Sequence, residues 1–329
     1  MILVTGGAGF IGSAIVWRLN QRGIDDIIVV DHLGGTEKWK NLISLHFSDY
    51  FDKTEFIEKL ENGHFGDNID AIFHMGACSS TTEQNADYLI ENNYKYTVRL
   101  SEWREKHPSC RFIYASSAAT YGNGKQGYHD VENKLDLLRP LNMYGFSKHM
   151  FDLLALRRGW FQHIVGLKYF NVFGPNEYHK NEMRSVINKA YPSVRDEGKI
   201  SLFRSYRNNY KDGEQLRDFI YIKDAVDMTL FFFDHPDVNG IFNVGTGLTR
   251  SWNDVAKALF QAVGKPLSIK YIPMPDGLKE KYQYFTRADM TKLQLAGYSH
   301  SYISLEDAVK EYVHDYLSSD AHLSVTTRQ

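Results

Sequence analysis

An α/β fold is predicted for this chain from three observations. Short apolar runs alternate with helical patterns from the first residues onward, the first run feeds a glycine-rich turn, and the second run ends in an acid. Repeated strand-then-helix units imply a parallel sheet covered by helices on both faces.

Taken in order, Ile2-Leu3-Val4-Thr5 reads as a buried strand, and Gly6-Gly7-Ala8-Gly9-Phe10-Ile11-Gly12 as a turn running into a helix. Ile11, Ile15, Val16 and Leu19 recur at the spacing that buries one helical face. Gly6 suits a tight turn, Gly9 leaves the backbone bare for a pyrophosphate, and Gly12 lets the helix pack closely on the strand. The free N–H groups of the helix N-terminus face the phosphates. Ile27-Ile28-Val29-Val30 then ends in Asp31, about 20 residues past the glycines, where a ribose-binding acid belongs. Strand, glycines, helix, strand and acid in that order make a Rossmann-type doubly wound sheet the expected frame, with a dinucleotide as its ligand.

Further strands are expected at 45–48, 71–74, 111–116 and 164–169, with helices at 36–43, 53–61, 82–105 and 142–156. In the long helix Leu89, Asn93, Tyr96, Leu100 and Trp103 share one stripe, read as core packing except at the asparagine. After Phe170 loops rich in tyrosine, arginine and asparagine predominate, with one helix near 182–197. Regular structure returns as a strand at 219–222, a helix from Asp224, a strand at 240–244, a helix at 252–263, a strand at 268–272 and a last helix at 304–317. The organisation expected is a dinucleotide-binding domain of 1–170 plus 219–272, and a smaller, discontinuous α/β substrate domain of 171–218 plus 273–317. Residues 318–329 carry little apolar content and are expected to be a mobile tail.

The 329 residues suffice for one large or two modest cores. With 38 basic and 40 acidic residues, the net charge of −2 offers no electrostatic argument for nucleic acid or an anionic membrane as partner. No apolar run approaches a membrane span, and the chain opens directly on a strand without an export signal. Cys78 and Cys110 form neither a disulfide framework nor a metal-ligand spacing, so no metal is expected. These features describe a soluble, cytoplasmic protein of a reducing compartment.

Chemistry should lie beyond the carboxyl ends of the strands. The strand 111–116 runs into Ser116-Ser117-Ala118-Ala119-Thr120-Tyr121-Gly122, and Tyr144 and Lys148 sit one turn apart at the start of a helix. A neighbouring ammonium would lower the phenol's pKa, letting Tyr144 take the proton of an alcohol as hydride leaves the carbon. Ser117 or Ser116 could bond the reacting oxygen; spacing leaves the two open.

TGGAGFIGS, YASSAATYG, LNMYGFSK and KYFNVFGP resemble the extended short-chain dehydrogenase/reductase family of nucleotide-sugar epimerases and dehydratases. HMGACSSTTE, YHKNEM, RDFIYIKDA, IFNVGTG and KYQYFTRADM narrow the resemblance to its ADP-heptose 6-epimerase branch, over residues 1 to about 316. The resemblance implies Tyr144 as catalytic tyrosine, Ser117 as active-site serine, Lys148 as their partner and Lys180 as a second acid/base on the opposite side. Around the cofactor it implies Phe10, Ile11, Asp31, His32, Lys38 and Lys53. It adds Met75, Gly76, Ala77, Cys78, Ser79, Asn92 and Val172, besides Tyr144, Lys148 and Lys180. For the substrate it implies Ser117, Asn171, Glu182, Lys189, Phe203, Arg204, Ser205, Arg217 and Tyr282. Arg217 could clamp a diphosphate bidentately, with an ion pair to an acid as the ordinary alternative.

The implied reaction is inversion at C6 of an ADP-linked glycero-manno-heptose, a precursor of the lipopolysaccharide core. It proceeds by transient oxidation to a ketone and return of hydride. Two opposed acid/bases would serve the two orientations of that ketone. The cofactor implied is NADP, with NAD as the alternative because Asp31 would normally favour it. A ring-like homo-oligomer, such as a pentamer, is also implied. Met75 replaces an acid common in relatives, Lys189 replaces a familiar histidine, and the loop 206–215 looks longer than usual. Rival activities are a dehydratase, disfavoured by Ala118 and Ala119 where an acid pair would expel water, a UDP-sugar 4-epimerase, and a non-catalytic dinucleotide sensor.

Overall fold

A computed structural model describes residues 1–279 and 282–325. Seven parallel strands form the central sheet: β1 (Ile2–Thr5), β2 (Ile27–Asp31), β3 (Asp49–Asp52), β4 (Ala71–His74), β5 (Arg111–Ser117), β6 (Ile164–Tyr169) and β7 (Gly240–Val244). They lie in the order β7-β6-β5-β4-β1-β2-β3, so the winding reverses between β1 and β4, the place where such sheets bind ligands. Every residue of β1, β2, β4, β5, β6 and β7 is buried, as strands covered on both faces should be. Thr5 registers with Val30 and with His74, and Ser117 with Tyr169, which brings the carboxyl ends to one edge.

The glycine roles are visible in the backbone. Gly6 sits at φ +64°, and a Cβ on Gly12 would stand 2.1 Å from the Gly6 carbonyl oxygen. Gly9 precedes the helix Phe10–Gln21, whose N–H groups point back at the turn.

Several expectations are corrected. The third strand is Asp49–Asp52, paired with β2, and not 45–48; at this sheet edge only Phe51 is buried, so no apolar run marks it. The segment 36–43 forms a 3₁₀ helix, Glu37–Leu42. The long helix starts at Ala86, where Asn85 caps the Tyr88 N–H at 3.0 Å, and widens into a π turn over Ile90–Lys95. Val186–Glu197 begins late, capped by Ser185.

The segment 250–272, expected with the dinucleotide-binding sheet, contributes no strand to the seven-stranded sheet. Strand Ile269–Ile272 pairs with Ile200–Phe203, Arg250–Ser251 pairs with Leu216–Arg217, and helix Trp252–Val263 packs on Val186–Glu197 and Leu305–Glu311. The tail expected to be mobile is packed through Val325. Leu323 is buried, the Trp17 indole donates to the Ser324 carbonyl at 3.1 Å, and the Val325 N–H donates to the Ser44 carbonyl at 3.3 Å. Its partners lie almost a full chain length away, so no local pattern announces it. Among the described residues no helix is long and apolar enough to cross a membrane.

Candidate active site

Helix Met143–Arg157 carries Tyr144 and Lys148. Asn142 caps it by accepting the Gly145 N–H at 2.8 Å, and a Cβ on Gly145 would stand 2.8 Å from the Ala119 carbonyl oxygen. This close seat presses the first turn of the helix against the residues after Ser117. Tyr144, Lys148 and Ser117 line one cavity of about 330 Å³ with Lys180, Asn171 and Phe10.

The two serines differ in their hydrogen bonds. Ser116 Oγ donates to Asp152 Oδ2 at 2.8 Å and is spent there. Ser117 Oγ accepts the Ala119 N–H at 3.1 Å and lines the cavity beside Tyr144.

Asp152 follows Lys148 by one further helical turn and anchors the helix from below. Its carboxylate takes Lys168 Nζ at 2.8 Å and the Tyr114 hydroxyl at 2.8 Å, while Lys168 also donates to Thr120 Oγ1 at 2.5 Å. Both charged side chains are fully buried. Each polar atom of the pair has a partner, the condition under which a buried ion pair is tolerated. The network joins β5, β6, the turn after Ser117 and the helix of Tyr144.

Burial, more than neighbouring charge, governs the titration of this pair. It pushes the Tyr144 phenol up, opposed by contact with Ser117, and pulls Lys148 down to about 8. The lowering of the Tyr144 pKa expected from Lys148 is not seen: both groups lose hydration in one enclosed space, and burial is the largest influence on each.

A loop contributes a further lysine to the same cavity. Lys180 belongs to the 3₁₀ turn Tyr178–Met183, its Nζ 5.1 Å from the centre of the Phe10 ring. Burial lowers its pKa, and Glu177 opposes this. Glu177 is itself buried, holding Ser185 Oγ at 2.7 Å and the Tyr312 hydroxyl at 3.1 Å.

A second cavity, about 140 Å³, is lined by Gly6, Asp31, His32, Lys38, Lys53, Gly76, Ala77, Cys78 and Asn92. Asp31 Oδ2 accepts the Ala8 N–H at 2.9 Å, while Oδ1 accepts the His32 N–H at 2.7 Å and Lys38 Nζ at 2.5 Å. Lys53 donates to Asn92, which the π turn brings into the pocket. Met75, Ala77, Ser79, Ile11 and Val172 line the first cavity, so the expected dinucleotide contacts span both. The bare glycine turn, the helix N-terminus and the ribose-side acid fit a nicotinamide dinucleotide.

Of the expected substrate residues, Lys189, Phe203 and Tyr282 line a third cavity of about 390 Å³, joined to the first by Val186 and Trp252, which line both. Glu182, Arg204, Ser205 and Arg217 stand outside these linings. Glu182 is exposed beside Lys189, Arg204 is exposed, and the Ser205 N–H is held by Asp212. Arg217 is buried between the rings of Trp252 and Tyr282 and donates to the Leu216 and Gln283 carbonyls. Among the described residues it makes no ion pair with an acid, so that alternative is not realised.

Sequence reasoning did not find Trp252, Asp152, Lys168 or Asn176. The first three look like ordinary helix and strand residues. Asn176, after Gly174-Pro175, could have been read as a left-handed turn residue.

The sheet order and the glycine turn define a Rossmann-type dinucleotide-binding fold, with Ser117, Tyr144 and Lys148 gathered in one cavity beside it. Residues 2–245 match the model of the NAD dependent epimerase/dehydratase family, and the chain belongs to that family. It is 52% identical over 324 residues to an ADP-L-glycero-D-manno-heptose-6-epimerase of Nitratidesulfovibrio vulgaris, covering 98% of this chain and 100% of that one. The crystal structure of the Helicobacter pylori ADP-L-glycero-D-manno-heptose-6-epimerase superposes with a TM-score of 0.79 at 30% identity, over 95% of this chain and 94% of the other. UDP-glucuronic acid 4-epimerase from Bacillus cereus, in complex with UDP-glucuronic acid and NAD, gives 0.76 at 25% identity over 97% and 99%.

Proposed function

We propose that this protein inverts C6 of an ADP-linked glycero-manno-heptose, with NADP held through the cycle, in supply of the lipopolysaccharide core. The observation that carries the reading is one cavity lined both by Ser117, Tyr144 and Lys148, from the strand end and the helix, and by Lys180, from a separate loop. Near-full-length relatives at 46–52% identity bear the heptose epimerase name, which supports the substrate.

A bound nicotinamide would supply a reversible hydride sink, through which the C6 carbinol passes to a ketone and back. Tyr144 would take and return the hydroxyl proton on its wall, with Ser117 bonding the same oxygen and Lys148 supporting the phenolate. Lys180 would do the same for the ketone turned over in the cavity. Phe203, Lys189 and Tyr282 of the third cavity would hold the ADP end and leave the sugar free to rotate.

Asp31 is already engaged by Lys38 and two backbone N–H groups, and a second ammonium, Lys53, lines the same pocket. A carboxylate so occupied has less to offer ribose hydroxyls, and two cations suit a 2′-phosphate, which supports NADP over NAD. The working form would be a cytoplasmic homo-oligomer, with a dinucleotide-binding body on the seven-stranded sheet and a substrate-binding body around Ile200–Phe203 and Ile269–Ile272. The test is to identify the nucleotide retained on purification and then assay epimerisation of ADP-heptose against UDP-galactose. Turnover of the galactose compound alone would overturn the substrate, and retained NAD would overturn the cofactor.

A further inference from the structure

Residues 321–325, which the reaction does not use, cross the loop that carries Lys180 and bond to it repeatedly. The Tyr178 hydroxyl donates to the Ala321 carbonyl at 3.0 Å, and the rings of Tyr178 and His322 meet edge to face at 5.0 Å. The Leu323 N–H donates to Asn176 Oδ1 at 2.9 Å. His322 Nδ1 bonds Asn41 Oδ1 at 2.7 Å. Asn41, 1% exposed, donates in turn from Nδ2 to the Ala8 carbonyl of the glycine-rich turn at 2.9 Å and to the Asn176 carbonyl at 3.1 Å. Its Nδ2 also lies 3.3 Å from His179 Nδ1. Asn176 closes the circuit, its Nδ2 donating to Ser13 Oγ at 2.9 Å in the helix that follows the turn.

This loop requires holding. Asn176 and Asn181 bracket His179-Lys180 at φ +74° and +49°, left-handed conformations in residues other than glycine. Such conformations persist where the surroundings over-determine them. At Asn176 they do: both ends of its side-chain amide are bonded, one of them to the C-terminal segment, and the residue is fully buried.

We infer that the C-terminal strap 321–325, acting through His322, Asn41 and Asn176, positions Lys180 against the glycine-rich turn. The second acid/base is thereby registered to the bound dinucleotide and not to the central sheet. The inference rests on the reading of Lys180 given above. His322, Asn41 and Asn176 are positioning residues and touch no reacting atom.

The test uses the full-length protein with its retained nucleotide and the variant His322→Ala, with circular dichroism to verify the fold. Two quantities are read: epimer exchange on ADP-heptose, and the rate at which acetic anhydride acetylates Lys180, followed by peptide mass spectrometry against exposed Lys134. Loosening the loop should slow exchange about 10- to 100-fold, the effect of misplacing a catalytic group by roughly an ångström, and should raise Lys180 acetylation several-fold. His322→Asn, which keeps a donor for Asn41 Oδ1, should restore both. Wild-type acetylation in His322→Ala overturns the inference whatever exchange does, and so does wild-type exchange. Lys180→Ala separates the two layers. If that variant exchanges normally, the assignment of Lys180 fails, while the acetylation result still decides whether the strap orders the loop.

Discussion

Tyr144 stands on a helix bolted to the sheet by a buried ion pair, whereas Lys180 stands on a loop bracketed by two left-handed asparagines. The first wall is local in construction. Ser117 ends β5, the next turn seats the helix, and Asp152 lies two turns below Tyr144 on the same face. The second wall is assembled from afar, with Asn41, Ser13 and the C-terminal residues 321–325 meeting at one loop. One cavity therefore combines a wall stiffened by secondary structure with a wall stiffened by tertiary hydrogen bonds. An inversion that must serve two orientations of one ketone can use both, provided each is held to the same dinucleotide.

The comparison is open to attack from either side. The largest effect is expected from Tyr144→Phe, which should lower epimer exchange about 10³-fold, in the range of a lost general acid/base, while nucleotide retention stays intact; retained exchange would remove the tyrosine from the reaction. Asp152→Asn strands the Lys168 ammonium in the core and should cost about 3–5 kcal/mol in urea unfolding, whereas Asp152→Leu combined with Lys168→Met should cost little. A wild-type midpoint for the single variant would mean that the ion pair does not secure this wall.

Lys148 tests the same wall through pH. Its folded pKa is about 8 against an ordinary 10.5, so between those values the unfolded chain binds more protons. Stability should therefore rise as pH goes from 8 toward 10.5, by up to about 3 kcal/mol from this group. Lys148→Met should flatten that rise in paired unfolding curves. Exchange should fall over the same window, because the ammonium that supports the phenolate is lost. The smallest effect is expected at Lys180→Ala: about a 10²-fold loss of exchange with an unchanged melting temperature, since its loop is held by neighbours and not by the lysine. A collapse in melting temperature would show the loop to be less independent than the hydrogen bonds imply.

Much of the Tyr144 wall was legible in the sequence. The strand ending in Ser116-Ser117 and the four-residue step from Tyr144 to Lys148 imply their placement through helix and strand geometry alone. The cofactor turn was legible for the same reason, since Gly6 and Gly12 answer to backbone sterics. The edge strand Asp49–Asp52 was missed because it buries one side chain, and the π turn at Ile90–Lys95 because a one-residue widening leaves no compositional trace. The upward direction of the Tyr144 shift was not legible for an electrostatic reason: spacing reports proximity, but not how much water each group loses.

Sequence by itself determined most of the sheet, the glycine turn and the family, because each depends on residues a few positions apart. Tertiary structure alone decided that Ser116 bonds Asp152, that Ile269–Ile272 pairs with Ile200–Phe203, and that 321–325 bond to the Lys180 loop. Those outcomes depend on hydrogen bonds between residues distant in the chain, where partner choice is set by packing and leaves no periodic mark in the sequence.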